Sequence, residues 1–176
     1  MSAINLYSGA VLDLLNPDPN AFTIVDIAHA LGQICRFNGH TKTFYSVAQH
    51  CVLCSKIVPE EHMLGALLHD AQEAFTGDMM TPLKALIPEF KAIEINLEKV
   101  VLAKFGLDFP LHPCIKEADI ILLATEKRDL LKESTNEWPM LKGVVPLTKV
   151  IRPMSPPEAT YSFLFRFAEL TGKNYA

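Results

Sequence analysis

His69 and Asp70 stand side by side, with Glu73 and Asp78 shortly after them, His50 upstream and Asp119 downstream. Imidazole nitrogens and carboxylate oxygens together suit a divalent transition metal such as zinc, cobalt, manganese or iron. Such an ion beside a spare carboxylate is a means of activating water against a phosphate or a carbonyl. On one helix, adjacent residues diverge by about 100°, so His69 and Asp70 both reach a single ion and Glu73 falls one turn later on the same face.

Each of these residues also has an ordinary reading. A His-Asp pair arises by chance, but here Met63, Leu64, Ala66, Leu67 and Leu68 lead straight into it. A carboxylate at the end of such an apolar stripe needs a compensating charge, and a metal provides one. Asp119 repeats the anomaly inside Ile115 to Leu123; it is either a ligand or the edge of a helix face that exposes Lys116 and Glu117. A lone His50 among apolar neighbours would be a satisfied core residue, and the company of the other three promotes it. Cys51 and Cys54 have the spacing of a zinc knuckle or redox pair, yet they lie mid-helix without a second such pair, so they read as core thiols.

The elements that must position these groups are helical. A turn at Asn16 to Asn20 hands over to a first helix after Thr23 or Asp26, with Ile27, Ala30, Leu31 and Ile34 on its apolar face. A loop over residues 37–41 precedes a helix from Ser46 to about Val58, and Pro59-Glu60-Glu61 opens the next, which carries His69-Asp70 and closes at Gly77. Further helices are expected from about Pro88 to Phe105, from Pro113 to about Lys132 and from about Pro157 to Leu170. Val144 to Ile151 is the one β-branched run, and Trp138 reads as a packing residue of the connecting region. The expected architecture is an all-α bundle forming a single domain over residues 1–176.

At 176 residues, with 49% hydrophobic and 20% charged, the chain has the composition of a globular domain that buries roughly 70% of its unfolded surface. A net charge of −4 without a basic stripe argues against polymeric nucleic acid as a partner. No apolar run reaches the length of a membrane span and the start lacks a charged leader, so a cytoplasmic protein with reduced Cys35, Cys51, Cys54 and Cys114 is expected, in a bacterial cell or a phage-infected host.

Ser46-Val47-Ala48-Gln49-His50, the run from Ala66 to Asp78, and Lys116-Glu117-Ala118-Asp119 together resemble the H…HD…D signature of the HD-domain phosphohydrolases, over about residues 22–130. The resemblance is nearest to the short group that includes bacterial deoxynucleoside 5′-monophosphatases and phage dATP triphosphohydrolases, and Arg36 to Thr41 is similar to the phage-type members. It implies that His50, His69, Asp70 and Asp119 hold the catalytic metal. It also implies that Glu73 orients or deprotonates the attacking water, that Asp78 fixes that network or shuttles a proton, and that Arg36 grips phosphate. A second ion, magnesium, would accompany a polyphosphate substrate.

His40, as a phosphate donor, and Lys84, as a neutralising partner of Asp78, are weaker candidates, each as readily a solvent-exposed residue. Phe22 and Ile24 would frame a purine, or simply pack the N-terminal segment on the bundle. The expected function is a dATP triphosphohydrolase releasing deoxynucleoside and triphosphate through metal-activated water. The alternatives are a deoxynucleoside 5′-monophosphatase and a nucleotide-sensing module without catalysis. The presence of Glu73 with every ligand favours an enzyme over a sensor or a closed structural site. A homo-oligomer, dimer or higher, is expected.

Overall fold

The computed structural model describes residues 2–173. The chain forms an all-α bundle of HD type, with one small hairpin at the N-terminus. In that hairpin β1 (Ala3–Asn5) pairs antiparallel with β2 (Val11–Asp13), Ala3 opposite Asp13. Strands of three residues leave no alternation to read, which is why periodicity did not reveal them.

Helix α1 (Ile24–Gln33) starts at a reciprocal cap: Thr23 Oγ1 accepts from the Asp26 N–H at 3.2 Å, and Asp26 accepts the Thr23 N–H at 2.8 Å. Asp26 also accepts the Ser8 N–H at 2.7 Å, tying the hairpin to α1. Ser46 caps α2 (Val47–Cys54) through the Gln49 N–H. After α3 (Met63–Leu68) and two short helices, α4 (Glu73–Thr76) and α5 (Thr81–Lys84), come the long α6 (Pro88–Lys104) and α7 (Pro113–Leu130). Proline in the first turn starts both long helices, where its missing N–H removes nothing.

The last helix, α8 (Pro156–Thr171), lies across α1, α2 and α3. It approaches α1 so closely that a Cβ at Gly32 would collide with Thr160 Oγ1 and crowd the Pro156 carbonyl at 3.1 Å. The core gathers Leu31 of α1, Val47 and Cys51 of α2, Leu67 of α3, Leu97 and Val101 of α6, and Phe163 and Phe167 of α8. Among the described residues no helix is long and apolar enough to cross a membrane.

The β-branched run Val144 to Ile151 forms no strand, in keeping with the all-α expectation, and runs along the end of α7, where the Leu147 N–H donates to Thr125 Oγ1 at 3.0 Å and the Ile151 N–H to Asp129 Oδ2 at 2.8 Å. Side chains of α7 satisfy its backbone in place of a neighbouring strand. The helix expected from Pro59 to Gly77 is broken in three, with a 3-10 turn at Glu60–His62, then α3, and α4 after a tight turn over residues 69–72.

Candidate active site

The break after α3 shapes the site. His69 Nδ1–H donates to the Ala66 carbonyl at 2.8 Å, the acceptor that a continuing α-helix would offer to the N–H of Asp70. The chain then winds more tightly, with Ala71 N–H donating to Leu68 O at 3.1 Å and Glu73 N–H to Asp70 O at 3.0 Å. His69 and Asp70 therefore sit on a turn between helices, not on one helix face. Because Nδ1 is the donor, Nε2 of His69 presents a lone pair.

His50, wholly buried on α2, is oriented in the same sense. Its Nδ1–H donates to Glu126 Oε1 at 2.6 Å, again leaving Nε2 as the free acceptor. Glu126, on α7 and also wholly buried, accepts the Tyr45 hydroxyl at 2.9 Å and, through Oε2, Arg36 Nη2 at 3.1 Å. Burial alone would raise this carboxyl, but Arg36 and His50 hold it below its ordinary value. Sequence reasoning missed Glu126. A carboxylate four residues before the end of α7 looks exposed until α2 and the Arg36 loop are packed on it.

The two Nε2 atoms lie 3.3 Å apart. His50 Nε2 is 3.3 Å from Asp119 Oδ1 and 3.7 Å from Asp70 Oδ2, and His69 Nε2 is 3.2 Å from Asp70 Oδ2. Donors arranged around an ion at about 2.1 Å stand about 3.0 to 3.5 Å from one another, so this spacing fits a single metal. Lone pairs of two imidazoles and two carboxylates aimed at one point repel one another unless a cation lies between them. The same field acts on His69: burial would depress its pKa, yet Asp70 holds it well above its ordinary value. The set of two nitrogens and two oxygens suits a divalent ion of borderline hardness.

Around these ligands stand three buried polar atoms without a hydrogen-bond partner: Arg36 Nε, Gln72 Oε1 and Glu73 Oε2. Burial, with the carboxylates of Asp70 and Asp78, pushes Glu73 well above its ordinary value. Asp78 is raised too, by burial and by Asp70 against the pull of Arg36. Arg36 Nη1 is 3.6 Å from Asp70 Oδ2, so the arginine bridges Glu126 and the ligand cluster. Its loop is unusual: Phe37 and Asn38 have φ of 55° and 49°, and the Arg36 N–H pairs with the Tyr45 carbonyl at 2.9 Å.

Lys84 is bound to Glu94 of α6 at 2.6 Å, and its charge also acts on Asp78, against the burial that raises that carboxyl. His40 is exposed on the loop after Arg36. Phe22 and Ile24, considered as a frame for a base, are core residues; Phe22 is 1% exposed and packs on Phe75 with ring centroids 5.1 Å apart. Burial in the bundle leaves them no face for a base. Cys51 and Cys54 are buried free thiols, pushed by burial to about 11 and about 12.

The fold and this cluster define a metal-dependent phosphohydrolase of the HD class. The model of the YfbR-like 5′-deoxynucleotidases matches residues 21–117, a span holding Arg36, His50, His69, Asp70, Glu73 and Asp78 and ending two residues before Asp119. The chain belongs to that family, whose members act on deoxynucleotides. It is similar to the uncharacterized protein YfdR of Escherichia coli K12, at 43% identity over 97% of this chain and 97% of that protein. An uncharacterized protein of Rhodobacter capsulatus is 35% identical over 92% of this chain and 91% of its own. A 5′-deoxynucleotidase of Photobacterium profundum is 27% identical over 88% and 80% respectively.

Proposed function

We propose that this enzyme is a 5′-deoxynucleotidase, hydrolysing deoxynucleoside 5′-monophosphates to deoxynucleosides and inorganic phosphate. The observation that carries this reading is the convergence of His69 and Asp70, and of His50 with Asp70 and Asp119, at 3.2 to 3.7 Å beside the buried Glu73, whose Oε2 has no hydrogen-bond partner. The match to the YfbR-like 5′-deoxynucleotidases supports it.

His50, His69, Asp70 and Asp119 would hold a divalent ion, which supplies a lowered pKa for water and positive charge for a phosphoryl oxygen. Arg36, kept charged by Glu126, Asp70 and Asp78 in spite of its burial, grips the phosphate and has its Nε free to donate. Glu73 takes a proton from the water as its oxygen attacks phosphorus. The bond from phosphorus to the 5′ oxygen breaks, and the leaving oxygen takes up a proton, which Asp78 is suited to shuttle.

The charge balance favours a monophosphate over the dATP expected from the Arg36-to-Thr41 segment. Arg36 is already paired with Glu126 and Lys84 with Glu94, so neither is a spare cation for the added charge of a triphosphate. A monophosphate dianion fits this balance better than a triphosphate, and it needs no second magnesium. An assembly of copies belongs to the same proposal, because Met80, Leu83, Leu86 and Ile87 expose an apolar strip around α5.

The test is incubation of the metal-loaded protein with each deoxynucleoside mono- and triphosphate beside an Asp70→Ala control, with the products separated. Phosphate and deoxynucleoside from monophosphates, lost in the control, are expected. Tripolyphosphate from dATP, with monophosphates untouched, would replace this reading by the triphosphohydrolase one.

A further inference from the structure

The elements that carry His69 and Asp119 bring a second group of metal-binding atoms together near their beginnings. His62 closes the 3-10 turn Glu60–His62 ahead of α3, His112 is the N-cap of α7, and Cys114 lies in its first turn. One ligand atom from each falls within 4.8 Å of the other two. The His62 and His112 imidazoles stack with centroids 4.2 Å apart and planes 10° from parallel, so one ring turns about its side-chain bonds for both nitrogens to face a single ion. His62 and Cys114 are half-buried and His112 is exposed, so solvent reaches the group.

We propose that His62, His112 and Cys114 form a second metal site, separate from the reacting centre, which takes a zinc-class ion through two imidazole nitrogens and a thiolate. Three protein ligands leave a fourth position for water. The thiolate sets the preference: sulfur with imidazole selects zinc over magnesium or manganese, which the nitrogen and oxygen set at the reacting centre does less sharply.

The scaffold holds these donors in place. Gly65 puts the α3 backbone directly against the start of α7, where an added Cβ would stand 3.0 Å from Ile115 Cδ1 and 3.2 Å from Leu111 Cδ2. Below them Ala66, Ile115 and Ala118 form a buried apolar cluster against which Met63, Leu111 and Cys114 pack. Glu117 and Glu61 place negative charge near Cys114, which attracts a cation, and ligation then expels the thiol proton to water. The protein bond at stake is a weak one, the Cys114 N–H to His112 Nδ1 contact at 3.3 Å, which ligation through that nitrogen displaces. An ion here clips the Glu60–His62 turn to α7, at about 10 Å along the helix from His69 and about 8 Å from Asp119.

The test is titration of the chelator-stripped protein with cobalt(II), followed by absorbance and by equilibrium dialysis. The expected result is two equivalents bound per chain with a sulfur-to-cobalt charge-transfer band. Cys114→Ser and His112→Ala should each remove one equivalent and the band, leaving nucleotide hydrolysis by the metal-loaded enzyme unchanged, whereas Asp70→Ala should keep the band. Zinc should displace the cobalt and bleach it. The proposal is overturned if Cys114→Ser retains both the band and the second equivalent, or if the band disappears on Cys51→Ala instead.

Discussion

At the scale of single residues, Glu126 joins the parts of the site that the chain keeps far apart. One carboxylate accepts from His50, Tyr45 and Arg36, so it sets the tautomer of a candidate ligand and the place of the arginine proposed to grip phosphate together. Glu126→Gln preserves the shape but weakens both interactions. Metal affinity should fall about 10- to 100-fold, measured by competition with a chelator. Glu73 tests a different part of the mechanism. Glu73→Gln should lower kcat by about 100- to 10,000-fold while metal content stays at that of the parent, if the carboxylate acts as the proposed base and not as a ligand. Loss of the metal in that variant would move Glu73 into the ligand set.

At the scale of elements, α1 depends on its N-terminal cap and on its crossing with α8. Burial alone would raise the Asp26 carboxyl, but hydrogen bonds from Thr23 and Ser8 outweigh it and hold the group below its ordinary value. A depressed carboxyl contributes stability above the unfolded value of about 3.9, and the contribution disappears as pH falls through the folded value. Asp26→Asn should therefore destabilise the protein at neutral pH and approach the parent in acid, as urea denaturation across the pH range would show. Thr23→Ala should cost about 1 kcal/mol by loss of the same cap. At the crossing, Gly32→Ala forces a methyl against Thr160, and about 1 to 3 kcal/mol of destabilisation is expected from overpacking.

At the scale of the whole molecule, the bundle gathers negative charge around its candidate metal ligands. Burial, with Asp70 and Glu94 nearby, raises Glu98 of α6 to about 7. Because the folded form binds this proton more tightly than the unfolded chain, stability of the metal-free protein should fall as pH rises from about 4.5 to about 7. Glu98→Gln should flatten that fall; an unchanged pH profile would exclude Glu98 as its source. Bound metal acts in the opposite direction, and an ion at 100 times its dissociation constant adds about 2.7 kcal/mol, visible as a raised Tm.

The amino-acid sequence by itself determined the longer helices of this protein and the identity of the ligand candidates, because both depend on short-range pattern. Apolar spacing along α1, α6, α7 and α8, proline at helix starts, and a His-Asp pair after an apolar stripe are all legible within about twenty residues. The tertiary structure alone decided what lies next to what. His50 meets Glu126 across 76 positions, and Arg36 meets the same residue across 90. No local period encodes such a pairing, and an acid on a helix looks the same whether water or a buried arginine will face it. The same limit explains Phe22 and Ile24, whose apolar side chains would suit a base or a core equally until packing assigned them to the core. It explains the break at His69 too, since the side chain that takes the Ala66 carbonyl is turned by the site it serves, and a helical period carries no record of that competition.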